Sequence, residues 1–293
     1  IQRGASGRTI VRVNAEDREP FIGMHWTDER PENDRFPGIA KFLLKAKVHV
    51  PALIHENLKW RVVLMEDLGG DDLHSLAGQP FETREPYYRS AFEQLDRLFF
   101  SRPPKDLDLC EPFDEGTYRW EQEYFFDNCV ERHLGLDADE LREASEFKEM
   151  AAGLGKSARN LVHRDFQSQN LMLKDGKAYW VDFQGMRRGR QEYDLASLIF
   201  DPYMNHTAEE RERLLELWED VSEERPAEKI FRECAAQRLM QALGAYGYIV
   251  GVYENDWYRE FVPVAAKLLG EVVEGTPLAG LLAPVIEAAA EAG

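Results

Sequence analysis

The sequence predicts an α+β protein of two lobes, a small β-rich one over residues 1–67 and a large, mainly helical one over residues 68–293. Runs rich in β-branched and aromatic residues gather ahead of Asp67, at residues 9–13, 21–25 and 61–65. From Glu82 onward, apolar residues recur at helical spacing instead. A hairpin signal at residues 171–181 interrupts that helical pattern and places two short strands inside the second lobe.

Residues 4–8 read GASGR and precede the first β-prone run, TIVRV. Gly4 and Gly7 let backbone N–H groups approach an anion closely, with Ser6 and Arg8 able to add side-chain donors. A plain hairpin turn is the alternative reading of such a segment. After the second run, FIGMH, a helix is predicted over residues 36–46, where Phe36, Ile39, Ala40, Phe42, Leu43 and Leu44 give a mostly apolar face. Residues 48–51 read as a turn into a short strand. The buried strand RVVLM at residues 61–65 then runs into Glu66, Asp67, Leu68, Gly69 and Gly70. This acidic, glycine-containing link fits a lobe connector whose backbone near Met65, Glu66 and Leu68 hydrogen-bonds adenine; an ordinary strand-to-loop transition reads the same way.

In the second lobe, helices predicted over residues 87–100 and 117–134 carry dense aromatics at core spacing. Glu121, Glu123 and Asp127 on the second of them are either a solvated acidic face or carboxylates that accept sugar hydroxyls beside aromatic rings. A helix over residues 148–160 is expected to feed the hairpin. Beyond it, Arg187, Arg188 and Arg190 are a basic cluster that binds phosphate or a polar substrate, or else pairs with neighbouring carboxylates. Asp194 is read as a helix cap opening residues 195–200, and further helices are expected at 208–221, 227–253, 258–274 and 278–290, with Pro226 and Pro277 at starts.

Composition narrows the function. A net charge of −18 argues against nucleic acid and anionic membranes as partners, because both call for clustered Lys and Arg. An acidic surface keeps a protein soluble and also tolerates cationic substrates. The 3 cysteines, Cys110, Cys129 and Cys234, lie far apart without metal-ligand spacing, which fits a reducing compartment. With no apolar run of membrane length and no signal-peptide pattern, the expectation is a cytoplasmic protein. The sequence leaves the oligomeric state open.

The segment 161–182, LVHRDFQSQNLMLKDGKAYWVD, carries the chemistry. Its H-R-D-x-x-x-x-N spacing places Asp165 and Asn170 on one loop, and the Asp-Gly turn folds the chain so that Asp182 returns to the edge where Asn170 starts. Phosphoryl transfer needs these parts: a carboxylate to orient and deprotonate an attacking hydroxyl (Asp165) and oxygen ligands for Mg²⁺ (Asn170, Asp182). Turn capping explains each residue singly but not their joint spacing.

HRDFQSQN, followed by VDFQG and YDLASL, resembles the aminoglycoside phosphotransferase-like kinases, a bacterial superfamily with the protein-kinase fold. The DFQ form, with EDLG upstream and RLMQALGAYGY downstream, is similar to the branch that phosphorylates N-acetylmuramic acid and N-acetylglucosamine at C1. This resemblance implies a bilobal protein-kinase-like fold, ATP and Mg²⁺ as cofactors, and a small-molecule sugar or amino-sugar acceptor. It assigns Asp165 as base and Asn170 and Asp182 as metal ligands, and it brings forward Glu123, Arg238 and Gln241 as acceptor contacts, with the surface of a core helix as the alternative reading of Arg238 and Gln241. One departure stands out: protein kinases carry a phosphate-binding Lys on the second strand, whereas here the position falls on Met24 and no Lys precedes Lys41. The amino-sugar branch resembles this chain in lacking it, which leaves phosphate charge to Mg²⁺, the glycine-loop amides and Arg8. An aminoglycoside or amino-alcohol acceptor, and a nucleotide-binding pseudokinase, are the competing readings.

Overall fold

Alternating apolar and polar residues in the first seventy positions make antiparallel strands, and a computed structural model shows how they assemble; it describes residues 7–15, 18–156 and 160–292. The N-terminal region is sheet and the remainder mostly helical. Contacts divide the chain into two units: the described residues of Ile1–Glu111 with Asn160–Arg188 and Leu217–Glu223, and those of Pro112–Arg159, Gly189–Glu216 and Glu224–Gly293.

In the first unit, β1 (Arg8–Ala15), β2 (Arg18–Trp26), β3 (Leu53–Asn57) and β4 (Val62–Glu66) form a 4-stranded antiparallel sheet in the order β1-β2-β4-β3. Ile10 lies opposite Met24, and Met24 opposite Val63, so Met24 sits mid-sheet and is buried. Between β2 and β3, α1 (Phe36–Lys45) buries Phe36, Ile39, Ala40, Phe42 and Leu43, while Leu44 stays exposed. Residues 48–51 lead as irregular chain into β3, as the turn-into-strand reading expects. Pro51 cannot donate to a ladder, and the segment spends its polar groups elsewhere: Trp180 N–H donates to His49 O at 2.8 Å, and Glu66 N–H to Ala52 O at 2.9 Å. The helix α2 (Phe81–Phe100) begins earlier than its aromatics suggest and carries Pro86 in its second turn, which leaves the helix one backbone donor short there.

This unit also holds β5 (Asn160–Val162), β6 (Leu171–Lys174) and β7 (Lys177–Trp180). β6 and β7 pair from Leu171↔Trp180 to Lys174↔Lys177. Asp175 (φ 51°) and Gly176 (φ 72°) are both left-handed, as a two-residue type I′ turn requires.

The second unit is helical. Asp114 caps α3 (Glu115–Phe125) by accepting from Thr117 N–H at 2.8 Å. The expected helix does continue toward residue 134, but from Phe126 to His133 it is a π-helix. There follow α4 (Asp139–Glu143), α5 (Ser145–Gly155) and α6 (Gln191–Ile199). α5 ends before the expected 160, because β5 takes over at Asn160. Asp194 is not a cap: it lies inside α6, fully buried, and the N-cap position is Arg190. β8 (Arg187–Gly189) and α7 (Ala208–Ser222) run across the division between the units. The chain then forms α8 (Glu228–Tyr253), α9 (Phe261–Val273) and α10 (Leu278–Glu291). α9 starts three residues later than expected, since residues 256–258 form a short 3₁₀ turn capped by Asn255. On α8, Gly247 faces the π-helical turn so closely that a Cβ would stand 2.7 Å from the Asn128 carbonyl carbon and 3.1 Å from Cys129 Cα. Among the described residues no helix is long and apolar enough to cross a membrane.

Candidate active site

The segment following β5 is clamped by an aromatic cluster. His163, Phe166 and Trp180 are all fully buried, with Phe166 edge-on to Trp180 at 4.8 Å and His163 edge-on to Trp180 at 5.6 Å. The His163 imidazole spans the loop. Its Nε2 donates to Val181 O at 3.0 Å, and its Nδ1 accepts from Asp165 N–H at 3.3 Å. A carbonyl only accepts and a backbone N–H only donates, so both contacts demand one neutral tautomer. Burial agrees, pushing the His163 imidazole below its ordinary pKa against the attraction of the Asp165 and Asp182 carboxylates.

From there the backbone brings the sequence-predicted trio together. Asn170 Nδ2 donates to Asp165 O at 2.8 Å, and Val181 N–H donates to Asn170 O at 3.0 Å. Asp165, Asn170 and Asp182 therefore gather at the open end of the β6–β7 hairpin. Arg164 (φ 80°) and Asp182 (φ 63°) are both held left-handed there, a conformation that costs non-glycine residues free energy and is often retained at functional sites.

Strand β1 reaches the same place. Arg8, only 9% exposed, forms an ion pair with Asp182 and donates to Gln184 Oε1 at 3.0 Å, while Gln184 Nε2 donates to Asp182 Oδ1 at 2.7 Å. Burial would raise the Asp182 pKa; the Arg8 guanidinium and the Gln184 amide outweigh it and hold the carboxyl below the usual carboxylate range. Gly7 is left-handed (φ 62°), which the phosphate-loop reading and the plain-turn reading of this segment both accommodate. Gly4 and Ser6 lie outside the described residues.

The link after β4 is anchored to both neighbours. Lys174 Nζ lies 2.6 Å from Glu66 Oε1, Leu173 N–H donates to Asp71 O at 2.8 Å, and Arg12 grips Asp67 through Nε and Nη2 while also donating to Gly69 O at 2.8 Å. Met65 and Leu68 are buried within it.

The acceptor candidates fall in both units, Arg187 in the first and Glu123 and Arg238 in the second. Glu123 is held by Arg119 at 3.2 Å and by Arg142 at 3.0 Å, in a cluster where Arg142 also pairs with Asp127 and Glu131. Arg238 is buried, donating to Ser197 Oγ at 3.1 Å and to Gln241 Oε1 at 2.5 Å. Arg187 Nε donates to Gly185 O at 3.2 Å, whereas Arg190 is buried and donates to Leu154 O, so the predicted basic cluster is not one patch. Glu121 is fully buried in the second unit, accepting from the Tyr193 hydroxyl at 3.1 Å and from Gln237 Nε2 at 3.2 Å. Its spacing between Tyr118 and Phe125 on the apolar stripe was the signal for that. Gln184 was read only as part of DFQ and of the segment that leads into the arginines; its bonds to Asp182 and Arg8 were not foreseen.

The donor set at the hairpin fits Mg²⁺. Among the described residues the Asn170 amide oxygen accepts no hydrogen bond, and it stands with the Asp182 carboxylate, giving two hard oxygen ligands of the kind that ion takes. Among the same residues no group of three or more His, Cys, Asp or Glu side chains has metal-binding geometry.

A family model described as the phosphotransferase enzyme family (APH) matches residues 1–231. The N-acetylmuramate/N-acetylglucosamine kinase of Pseudomonas aeruginosa is 27% identical over 282 residues, covering 92% of this chain and 78% of that protein. A protein of the same name from Neisseria meningitidis serogroup B is 25% identical over 260 residues, covering 82% and 76%. Among solved structures, choline kinase LicA from Streptococcus pneumoniae matches with a TM-score of 0.64 at 15% identity, covering 89% of each chain. ADP-bound aminoglycoside phosphotransferase APH(2'')-Ib matches with a TM-score of 0.57 at 14% identity, covering 89% of this chain and 92% of that one. At such identities the structural matches speak for the fold.

Proposed function

The chain belongs to the phosphotransferase enzyme family and is a phosphotransferase acting on hydroxyl groups; from that premise we propose an ATP-dependent, Mg²⁺-assisted kinase for the anomeric hydroxyl of N-acetylmuramate or N-acetylglucosamine, working in cytoplasmic recycling of cell-wall sugars. The observation that carries this reading is the convergence of Asp165, Asn170 and Asp182 at one end of the hairpin. Relatives named for those two amino sugars supply the acceptor.

In the proposed mechanism the backbone at Met65, Glu66 and Leu68 receives adenine, and Gly4, Ser6, Gly7 and Arg8 receive the phosphates. Asn170 and Asp182 hold Mg²⁺, which when bound neutralises charge on the phosphate oxygens. Asp165 orients the sugar hydroxyl and takes its proton as the hydroxyl oxygen bonds to the γ-phosphorus and the bond to ADP breaks. His163 keeps Asp165 in place, and catalysis comes from alignment and charge neutralisation. Glu123, Arg187 and Arg238 are proposed to meet the acceptor, Glu123 after release from its arginines.

An acceptor screen coupled to ADP release tests the reading, using N-acetylmuramate, N-acetylglucosamine, kanamycin and choline side by side. Phosphorus NMR of the product then locates the new ester. A C1 phosphate on either amino sugar is the expected result. Exclusive use of kanamycin or choline overturns the acceptor, and ATP turnover that no acceptor stimulates overturns the kinase.

A further inference from the structure

Met24 is the residue at which the kinase pattern, read onto this sequence, calls for a phosphate-binding Lys, and it is buried in the sheet. Directly opposed residues of an antiparallel pair share a face, and alternate residues along a strand do too. The register Ile10↔Met24 and Arg8↔Trp26 therefore puts Arg8 on the same face as Met24, one strand over and two residues along, an offset of roughly 7 Å. The neighbours on the opposite face, Thr9 and Val11, are exposed, whereas Arg8 is not. The Arg8 side chain ends on Asp182 and Gln184, and its Nε is buried with no hydrogen-bond partner among the described residues.

We propose that Arg8 replaces the missing strand lysine, and that it does so by exchange: it neutralises Asp182 while the site is empty and passes to the nucleotide phosphates when Asp182 takes the metal. This rests on the kinase reading above and adds to it a defined ligand-free partner for Asp182. Gln184 is the positioning residue of the exchange. Its carboxamide donates to Asp182 and accepts from Arg8, so it keeps hold of the carboxylate when the guanidinium leaves. A guanidinium suits the second half of the task because its planar fork matches phosphate oxygens. At the other end of β1, Arg12 on the same face stays on Asp67 and Gly69. The strand thus remains anchored at that end while its phosphate end changes partner.

The test separates exchange from simple anchoring of β1. In the ligand-free protein, Mn²⁺ serves as a spectroscopic stand-in for Mg²⁺, and its affinity is measured by electron paramagnetic resonance. ADP affinity in the presence of Mg²⁺ is measured by calorimetry. Arg8→Gln should bind Mn²⁺ several-fold more tightly, having lost a competing cation, and ADP about 10- to 100-fold more weakly, the worth of charged hydrogen bonds. Arg8→Lys, which keeps the charge, should stay within about tenfold of wild type on both and covers the case where Arg8→Gln does not fold. Arg12→Gln loosens the same strand and should leave Mn²⁺ affinity unchanged. Unaltered Mn²⁺ and ADP affinities in Arg8→Gln, or a change in only one, overturn the exchange even if the wild type phosphorylates a sugar. A wild type that phosphorylates nothing overturns the kinase reading instead, whatever Mn²⁺ does.

Discussion

His163→Phe is the most informative single substitution outside the reacting groups. Phenylalanine keeps the ring contacts with Phe166 and Trp180 but removes the partners of Val181 O and Asp165 N–H. Each part-buried group left unmet costs about 1–3 kcal/mol, so the variant should lose about 2–6 kcal/mol. A pH signature goes with it. Burial lowers the His163 pKa in the folded chain, so as acid is added the unfolded chain takes up the proton first. This histidine's contribution is complete above its unfolded pKa of about 6.5 and declines below it. Between about pH 7.5 and pH 5.5 one such group removes up to about 1.4 kcal/mol from the wild type and nothing from the variant. Urea denaturation of both proteins across that range measures the difference. His49 and His133, whose pKa values are also lowered mainly by burial, cancel because both proteins carry them. The gap between wild type and variant should therefore narrow on acidification. A gap that stays constant with pH would refute the neutral bridging role.

Asp165→Asn should reduce kcat by about 10²- to 10⁴-fold with nucleotide affinity nearly unchanged, read by ADP release and calorimetry; near-normal turnover removes Asp165 from the chemistry. Gly247→Ala drives a methyl into the Asn128 carbonyl and should destabilise by about 3 kcal/mol, whereas Gly153→Ala, with open space around the new Cβ in α5, should stabilise by up to about 1 kcal/mol; paired thermal melts compare them. Thiol labelling of the native protein should modify Cys110 alone. Cys129 and Cys234 are buried, and burial pushes the Cys129 thiol up to about 12; mass spectrometry showing early modification of Cys129 would contradict that burial. Lys174→Met, which unties Glu66 from β6, should raise the KM for ATP several-fold while changing stability by less than about 1 kcal/mol.

The hairpin was legible because its signals are local. Asp175-Gly176 dictates the turn, the turn fixes the register, and the register delivers Asp182 beside Asn170. Strand and helix positions followed from periodicity to within a few residues, except where something other than periodicity decides. Asp194 sits inside a buried helix rather than at its cap. The π-helical run after Phe126 was invisible to a 3.6-residue template, because its cue is the absence of a side chain at Gly247, more than a hundred residues away. Arg8 and Gln184 illustrate the same limit. Each was readable as a residue type, but their meeting at Asp182 depends on strand β1 lying over a loop that the chain reaches about 170 positions later.

The residues proposed to handle the nucleotide fall in the first unit, and Glu123 and Arg238 fall in the second. On the proposed reading Asp165 and Arg187 meet the acceptor from the first unit, and only Glu123 and Arg238 do so from the second. On that proposal, substitutions in α3 and α8 change acceptor preference without touching the residues proposed for the nucleotide.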